Sequence, residues 1–383
     1  MISMNIHKAI VTSFDRCPTS EEGDSCDGAQ DGGVYVFDVD CVSDNSAIVA
    51  SSSDNCLSLY DTESLMQIRR IHAHSQMINS FNLSKSGPYS IYSASNDHHI
   101  NCWDLRSSGD TPVIKIKLSD EVTALSVGMA DTLLAAGCSS SVSFHDLRIG
   151  SKKSNKLGEY SDVHTDTVTQ LKFSTANAHI LASGAEDGLI GLYNTSTADG
   201  DDAVYSILNT ECPVRRIGYF GNNDEAIYCL STTETASFWH CATAQRVGDF
   251  PDIRAQLEAD YLVDCMYDGT SDTLTVLAGS YEGSAKIAVV EPTALRVIGQ
   301  LTSEGHRATI RCSKNYKSNS LGTMRIITGG EDSRLCSWNV LPAAVLSAQS
   351  DIPSVKNAVT GTSSNLKSTT ASVTKSNRRQ KPY

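Results

Sequence analysis

The stretch IYSASNDHHINCWD (91–104) decides how this chain is read. It opens on an apolar pair, Ile91-Tyr92, and runs into small residues, Ser93-Ala94-Ser95. Asn96-Asp97-His98 then supplies turn chemistry, because Asn and Asp side chains hydrogen-bond their own backbone two residues on. In Ile100-Asn101-Cys102-Trp103 the polarity changes at every residue, as a two-faced strand requires. The stretch predicts a hairpin of two strands, the second ending in an aromatic and a polar residue.

The same pattern recurs along the chain. Copies read IVASSSDNCLSLYD (48–61), LLAAGCSSSVSFHD (133–146), ILASGAEDGLIGLYN (180–194), IYCLSTTETASFWH (227–240), VLAGSYEGSAKIAVVE (276–291) and IITGGEDSRLCSWN (326–339). Their terminal pairs, from Tyr60-Asp61 to Trp338-Asn339, are spaced 43, 42, 48, 46, 51 and 48 residues apart. Self-similarity at such a period marks a repeat architecture in which each unit buries its apolar faces against its neighbours.

These segments resemble the WD-repeat family over about residues 5–340. The resemblance implies an all-β fold: a seven-bladed WD40 β-propeller with four-stranded antiparallel blades. Family members carry a Gly-His pair ahead of each unit and an Asp in the turn between the second and third strands. Here the pair is degenerate: Ala73-His74, Val163-His164 and Gly305-His306. The offsets agree, with 23 residues from His74 to Asp97 and from His164 to Asp187, and six from Asp332 to Trp338. In the family these residues form a hydrogen-bonded chain inside the blade. The resemblance therefore implies networks at His74, Asp97 and Trp103 with one of Ser93 or Ser95, at His164 and Asp187, and at His306, Asp332 and Trp338. A half-buried Asp needs donors, and the His and the turn amides supply them. The third, fifth and sixth units lack the His and hold Ser139, Thr233 and Ser284 at the turn, so packing alone is expected to hold them.

Each unit reads as four strands, in the second about 66–71 (outer), 77–83, 90–94 and 99–103. The last blade ends on its third strand at Trp338-Asn339. The β-prone run Lys8-Ala9-Ile10-Val11-Thr12 is expected to complete it, leaving no open edge. Residues 1–14 thus form a closing strand, 15–33 an acidic loop, 34–341 the propeller and 342–383 a basic, disordered tail. Ile253 to Tyr261 is compatible with a helix between the fifth and sixth blades.

Charge and cysteine usage narrow the setting. The net charge is -13; the tail's six basic residues against one acid give it +5, so the rest of the chain carries -18. An acidic body disfavours sequence-independent nucleic-acid binding, which needs cations to displace counterions, and favours partners with a basic face. The twelve cysteines are scattered singly, several in strand-like runs (Cys56, Cys102, Cys229, Cys265, Cys336), where cysteine acts as a small hydrophobe. A reducing compartment is expected, cytoplasm or nucleus. No segment reaches the roughly 20 apolar residues of a membrane span.

No phosphate loop, nucleophile elbow or H-E-x-x-H is present, so a non-catalytic protein with no cofactor is expected. His98 and His99 point to opposite faces of a strand, and His72 with His74 gives too few ligands for a metal. Cys17 and Cys26 fall in the acidic loop. Two consecutive units end in Asp104-Leu105-Arg106 and Asp146-Leu147-Arg148. These look like the D-x-R boxes of WD-repeat substrate receptors of cullin-RING ubiquitin ligases, which implies that Arg106 and Arg148 meet the ligase adaptor protein. Lys375, Arg378, Arg379 and Lys381 suggest a nuclear-import tract. In the later half, SILNTE (206–211), RIGY (216–219) and DYLVDC (260–265) resemble one subfamily, which adds no activity to carry over. The expected function is a monomeric protein-interaction scaffold, with a ligase receptor or a histone- or basic-peptide-binding propeller as alternatives.

Overall fold

Short apolar strands separated by Asp-, Asn- and Ser-rich turns pair with their sequence neighbours, because tight connections place consecutive strands side by side. The computed structural model describes residues 10–13, 33–128, 130–149, 155–197, 200–320 and 322–339. These form seven antiparallel sheets of four strands each. The innermost strands are Val36–Cys41, Ile78–Leu83, Ala124–Gly128, Val168–Phe173, Val214–Phe220, Tyr261–Asp268 and Ile310–Lys317. Six of the seven sheets close with the fourth consecutive strand, and the seventh takes Ile10–Ser13 as its outer strand. Ile10 lies opposite Ser337 and Ser13 opposite Arg334. The chain is therefore an all-β, seven-bladed propeller whose last blade is closed from the N-terminal side.

The sequence unit and the structural blade are offset by one strand. The stretch expected as the outer strand of the second unit is Gln67–His72, and it pairs with Cys56–Asp61 in the first sheet. The turn explains this: Leu65 N–H donates to the Asp61 carbonyl at 2.9 Å, folding the chain straight back onto the strand just left.

The core lies between blades. One cluster joins Val36, Val39, Ile48 and Tyr60 of the first blade to Cys312, Ile327 and Leu335 of the seventh. Another joins Val49, Leu57 and Ile71 of the first to Phe81, Ile91 and Trp103 of the second. Close approach at these joins needs a missing side chain. A Cβ on Gly329 would come within 2.5 Å of Val36, and one on Gly184 within 2.6 Å of Val214.

The helix expected over Ile253 to Tyr261 is a single turn, Arg254–Leu257. Glu258 adopts a left-handed conformation (φ 46°) that ends it, and Tyr261 already begins the next inner strand. Ile253 and Leu257 are fully buried and pin the turn to the rim of the fifth blade. The expected acidic loop (apart from Gly33), the basic tail, Cys17, Cys26, Lys8, Ala9 and the tract at Lys375, Arg378, Arg379 and Lys381 lie outside the described residues.

Candidate functional site

Three blades contain a histidine chain. In the second, Trp103 Nε1–H donates to Ser93 Oγ at 3.0 Å, and Ser93 meets His74 Nε2 at 2.8 Å. His74 Nδ1 meets Asp97 Oδ2 at 3.0 Å. Ser95 instead donates to the Gln76 carbonyl, so Ser93 is the hydroxyl of the chain. In the fourth blade Tyr193 takes the tryptophan's place: its hydroxyl lies 3.0 Å from Ser183 Oγ, which is 2.6 Å from His164 Nε2. His164 Nδ1 is 3.2 Å from Asp187. In the seventh, Trp338 donates to Thr328 at 2.8 Å, Thr328 meets His306 at 2.8 Å, and His306 meets Asp332 at 3.0 Å. One direction of donation satisfies every member: ring N–H or phenol to hydroxyl, hydroxyl to Nε2, and Nδ1–H to carboxylate. That fixes the Nδ1–H tautomer.

Burial favours neutral imidazole and pushes His74 and His164 below their ordinary pKa, against the pull of Asp97 and Asp187. Burial alone would raise the Asp97 carboxyl, but the Ser75 amide and His74 outweigh it and hold it below the usual range. The histidines thus serve the blades structurally.

The blades without this histidine do not rely on packing alone. In the fifth, Trp239 donates to Ser237 at 2.9 Å, and Ser231 bonds Thr233 and Thr235 across the turn. In the sixth, Ser280 meets Ser284 at 2.8 Å, and Tyr281 N–H donates to Asp260. In the third, His145 stands where the second and seventh units carry a tryptophan, buried between Ser143 at 3.1 Å and Asn155 at 3.2 Å. Hydroxyl-rich turns replace the His–Asp pair because a buried strand end must still satisfy its polar groups.

Arg106 and Arg148 both project from the side of the disc that carries the turns joining first to second and third to fourth strands. Each grips its own aspartate with two bonds: Arg106 Nε and Nη2 at 3.0 and 2.7 Å from Asp104, Arg148 at 2.9 and 2.6 Å from Asp146. Hydrogen bonding to Arg106 pulls the Asp104 carboxyl down to about 2. The guanidinium groups remain 67 % and 72 % exposed. Arg254 makes the same clamp on Asp252, in a loop on the opposite side, so the geometry follows from the spacing.

Alternate positions of the inner strands fall in two rings, following the strand register, and the ring nearer the Arg106 side lines the channel mouth. From the first blade onward, one ring is Asp38, Ser80, Ala124, Gln170, Arg216, Asp264 and Cys312. The other is Asp40, Asn82, Ser126, Lys172, Gly218, Met266 and Lys314. Several reach forward to the inner edge of the next sheet, whose amides would otherwise go unpaired. Asn82 accepts from Val127 N–H (3.3 Å), Ser126 from Phe173 N–H (3.0 Å) and Gln170 from Ile217 N–H (2.6 Å). Arg216 spans the channel: it lies 2.9 Å from Asp264 of the sixth blade and 3.8 Å from Asp38 of the first.

Further stitches join neighbouring blades on the side bearing Arg106. Asp224 accepts from Ser174 Oγ (2.8 Å) and the Thr175 and Ala176 amides (2.6 and 3.0 Å). Asp131 accepts from Ser84 at 2.5 Å, and Glu63 accepts from Ser318 at 2.8 Å. Nothing in the repeat pattern marks these acids, since each partner is a repeat away.

The opposite side, formed by the inter-blade and second-to-third-strand loops, exposes Glu121, Asp162, Asp166, Glu186, Glu211 and Glu282, among other acids. Among the described residues of those loops the exposed bases are Arg254 and Arg307. Among the described residues no three His, Cys, Asp or Glu side chains gather as a metal site, and no helix is long and apolar enough to cross a membrane.

Residues 65–104 and 156–194 match the family described as WD domain, G-beta repeat. The chain is 30 % identical to WD repeat-containing protein GTS1 of Arabidopsis thaliana over 324 residues, 80 % of this chain and 81 % of that protein. It is 27 % identical to the WD repeat-containing protein 89 homolog of Dictyostelium discoideum over 326 residues, 83 % of this chain and 86 % of that protein. The second is of the subfamily, WD repeat-containing protein 89, to which the strings in the later half pointed. Ribosome biogenesis protein YTM1 of Vanderwaltozyma polyspora is 31 % identical over 140 residues, 35 % of this chain and 28 % of that one.

Proposed function

Because the chain belongs to the WD-repeat family of β-propellers, we propose that it is a non-catalytic scaffold holding partner proteins in a complex, and that its acidic side receives a basic segment of one of them. The family fold supports protein interaction in general: a rigid disc presents variable loops on both sides. The observation that carries the finer reading is the group of acids Asp162, Asp166 and Glu186, exposed on neighbouring loops of one side where, among the described residues, exposed bases are few. A field of one sign steers a partner of the opposite sign and raises its rate of encounter. The YTM1 relative, named for ribosome biogenesis, agrees with work inside an assembly.

A fluorescent Lys/Arg-rich peptide tests this. It is expected to bind the intact chain at low salt and to weaken as salt rises. The triple variant Asp162→Lys, Asp166→Lys, Glu186→Lys should lose most of that binding, while Arg148→Ala retains it. Equal binding by the triple variant would overturn the reading.

A further inference from the structure

We propose that the channel mouth on the Arg106 side is a binding site for a compact phosphate-bearing anion, held by Lys172 with Lys85 and Lys314. Here the channel widens into a cavity of about 610 Å³, lined by these three lysines together with Asp40, Asp224 and Asp264. That volume is within the range of sites for small molecules. The Arg216 bridge between Asp264 and Asp38 lies one ring deeper than this cup.

The charge inside the cup is unevenly satisfied. Each carboxylate of the lining is already engaged. Asp40 lies 2.9 Å from Lys314. Asp264 is held by Arg216, by the Tyr228 hydroxyl at 3.2 Å and by its neighbour's amide at 2.8 Å. Asp224 takes the hydroxyls and amides of the 174–176 turn. Among the described residues, neither Lys85 nor Lys172 has an ion-pair partner. Gly218 stands at the next position of the ring after Lys172, and the Tyr228 ring occupies the place its side chain would take. Lys172 is half-buried with no described carboxylate at ion-pair distance, in a protein whose body is strongly acidic and could place one there.

Two further facts agree. Burial and then repulsion from Lys314 lower the Lys172 pKa against the pull of Asp38, Asp40 and Asp264, and burial and then repulsion from Lys172 lower that of Lys85 against the pull of Asp224 and Asp131. The three lysines line one cavity. An anion with several oxygens would relieve both effects through charge-assisted bonds. Inorganic phosphate and a phosphorylated ring such as an inositol phosphate offer the same chemistry at different sizes.

Titration calorimetry and thermal unfolding of the intact chain, with pyrophosphate and with inositol hexakisphosphate as probes, test the proposal. At least one probe is expected to bind with one-to-one stoichiometry and raise the melting midpoint in proportion to its concentration. Pyrophosphate alone would indicate a single phosphate subsite; the larger probe alone, contact with all three lysines. Lys172→Met should weaken binding by about tenfold or more, yet leave the unliganded chain about as stable as before, since Lys172 has no ion-pair partner among the described residues to lose. Lys85→Met should weaken binding less, and Arg148→Ala, on the same side but outside the cup, should not change it. No binding of either probe at millimolar concentration, or equal binding by Lys172→Met, would overturn the proposal.

Discussion

Ile10 and Ser337 face each other in an antiparallel ladder, which makes the first and last described strands of the chain neighbours in one sheet. Removing residues 1–13 strips the outer strand from the seventh blade and bares the edge of Arg334–Asn339. The expected loss is about 2–4 kcal/mol, from ladder bonds worth about 1 kcal/mol each. Urea unfolding of the truncated and full chains measures it, and coincident curves would show that the ring holds without this strand.

The His306 chain gives a second prediction. His306→Ala removes the imidazole donor of Asp332, leaving it the Arg307 and Arg334 amides, and leaves Thr328 without its acceptor inside a closed blade. The expected cost is about 2–4 kcal/mol. Thr328→Val breaks the same chain at its centre, so the double variant should cost clearly less than the sum of the two. Strict additivity would mean that the residues act independently.

Stability should also fall with acid through the buried imidazoles. His74, His145 and His164 have pKa values lowered by burial, so below about pH 6.5 the unfolded chain takes up protons that the folded chain refuses. The stabilising effect is complete above that pH and is lost as the pH falls from there toward the lower folded values. The melting midpoint should drop between neutral pH and about pH 5. His74→Gln with His164→Gln should flatten that slope.

In the deeper ring, Arg216→Met would leave Asp38 and Asp264 facing each other without their shared cation. The expected cost is about 2–3 kcal/mol, at the low end for a broken buried pair because the Asp38 side chain is 37 % exposed. Adding Asp264→Asn should recover part of it. Equal unfolding of Arg216→Met and the unaltered chain would show that the bridge has no structural weight.

Arg106→Ala should return the Asp104 carboxyl from about 2 toward the ordinary value near 3.9, followed by carbon NMR titration. Arg106→Ala with Arg148→Ala should leave the melting midpoint unchanged. If these arginines dock a ligase adaptor, co-purification with that adaptor is lost in the same double variant.

The repeat copies were legible because each hairpin writes its own alternation and turn chemistry into a dozen adjacent residues. The His–Asp offset was legible for the same reason, as both residues belong to one unit. The offset between unit and blade was not, because nothing within the unit says which neighbour its first strand will join. The helix at Ile253 was overestimated: its apolar spacing fits a longer helix, but the inner strand claims Tyr261 and Glu258 turns the chain left-handed. The channel was the least legible part. Lys172 and Lys314 each look like an ordinary polar position in an alternating strand, and only closure of the ring brings them to one mouth.

The join between Ile10–Ser13 and Arg334–Ser337 also sets an order of events during translation. The N-terminal strand emerges first and must wait, unpaired, until nearly the whole propeller has left the ribosome. Until then the nascent chain exposes the unpaired strand Ile10–Ser13 and an apolar flank on the first blade, the kind of surface that invites misassembly in repeat proteins. A chain truncated anywhere before Trp338 therefore never reaches a closed state, and its release would deliver an aggregation-prone fragment in place of a smaller version of the same disc.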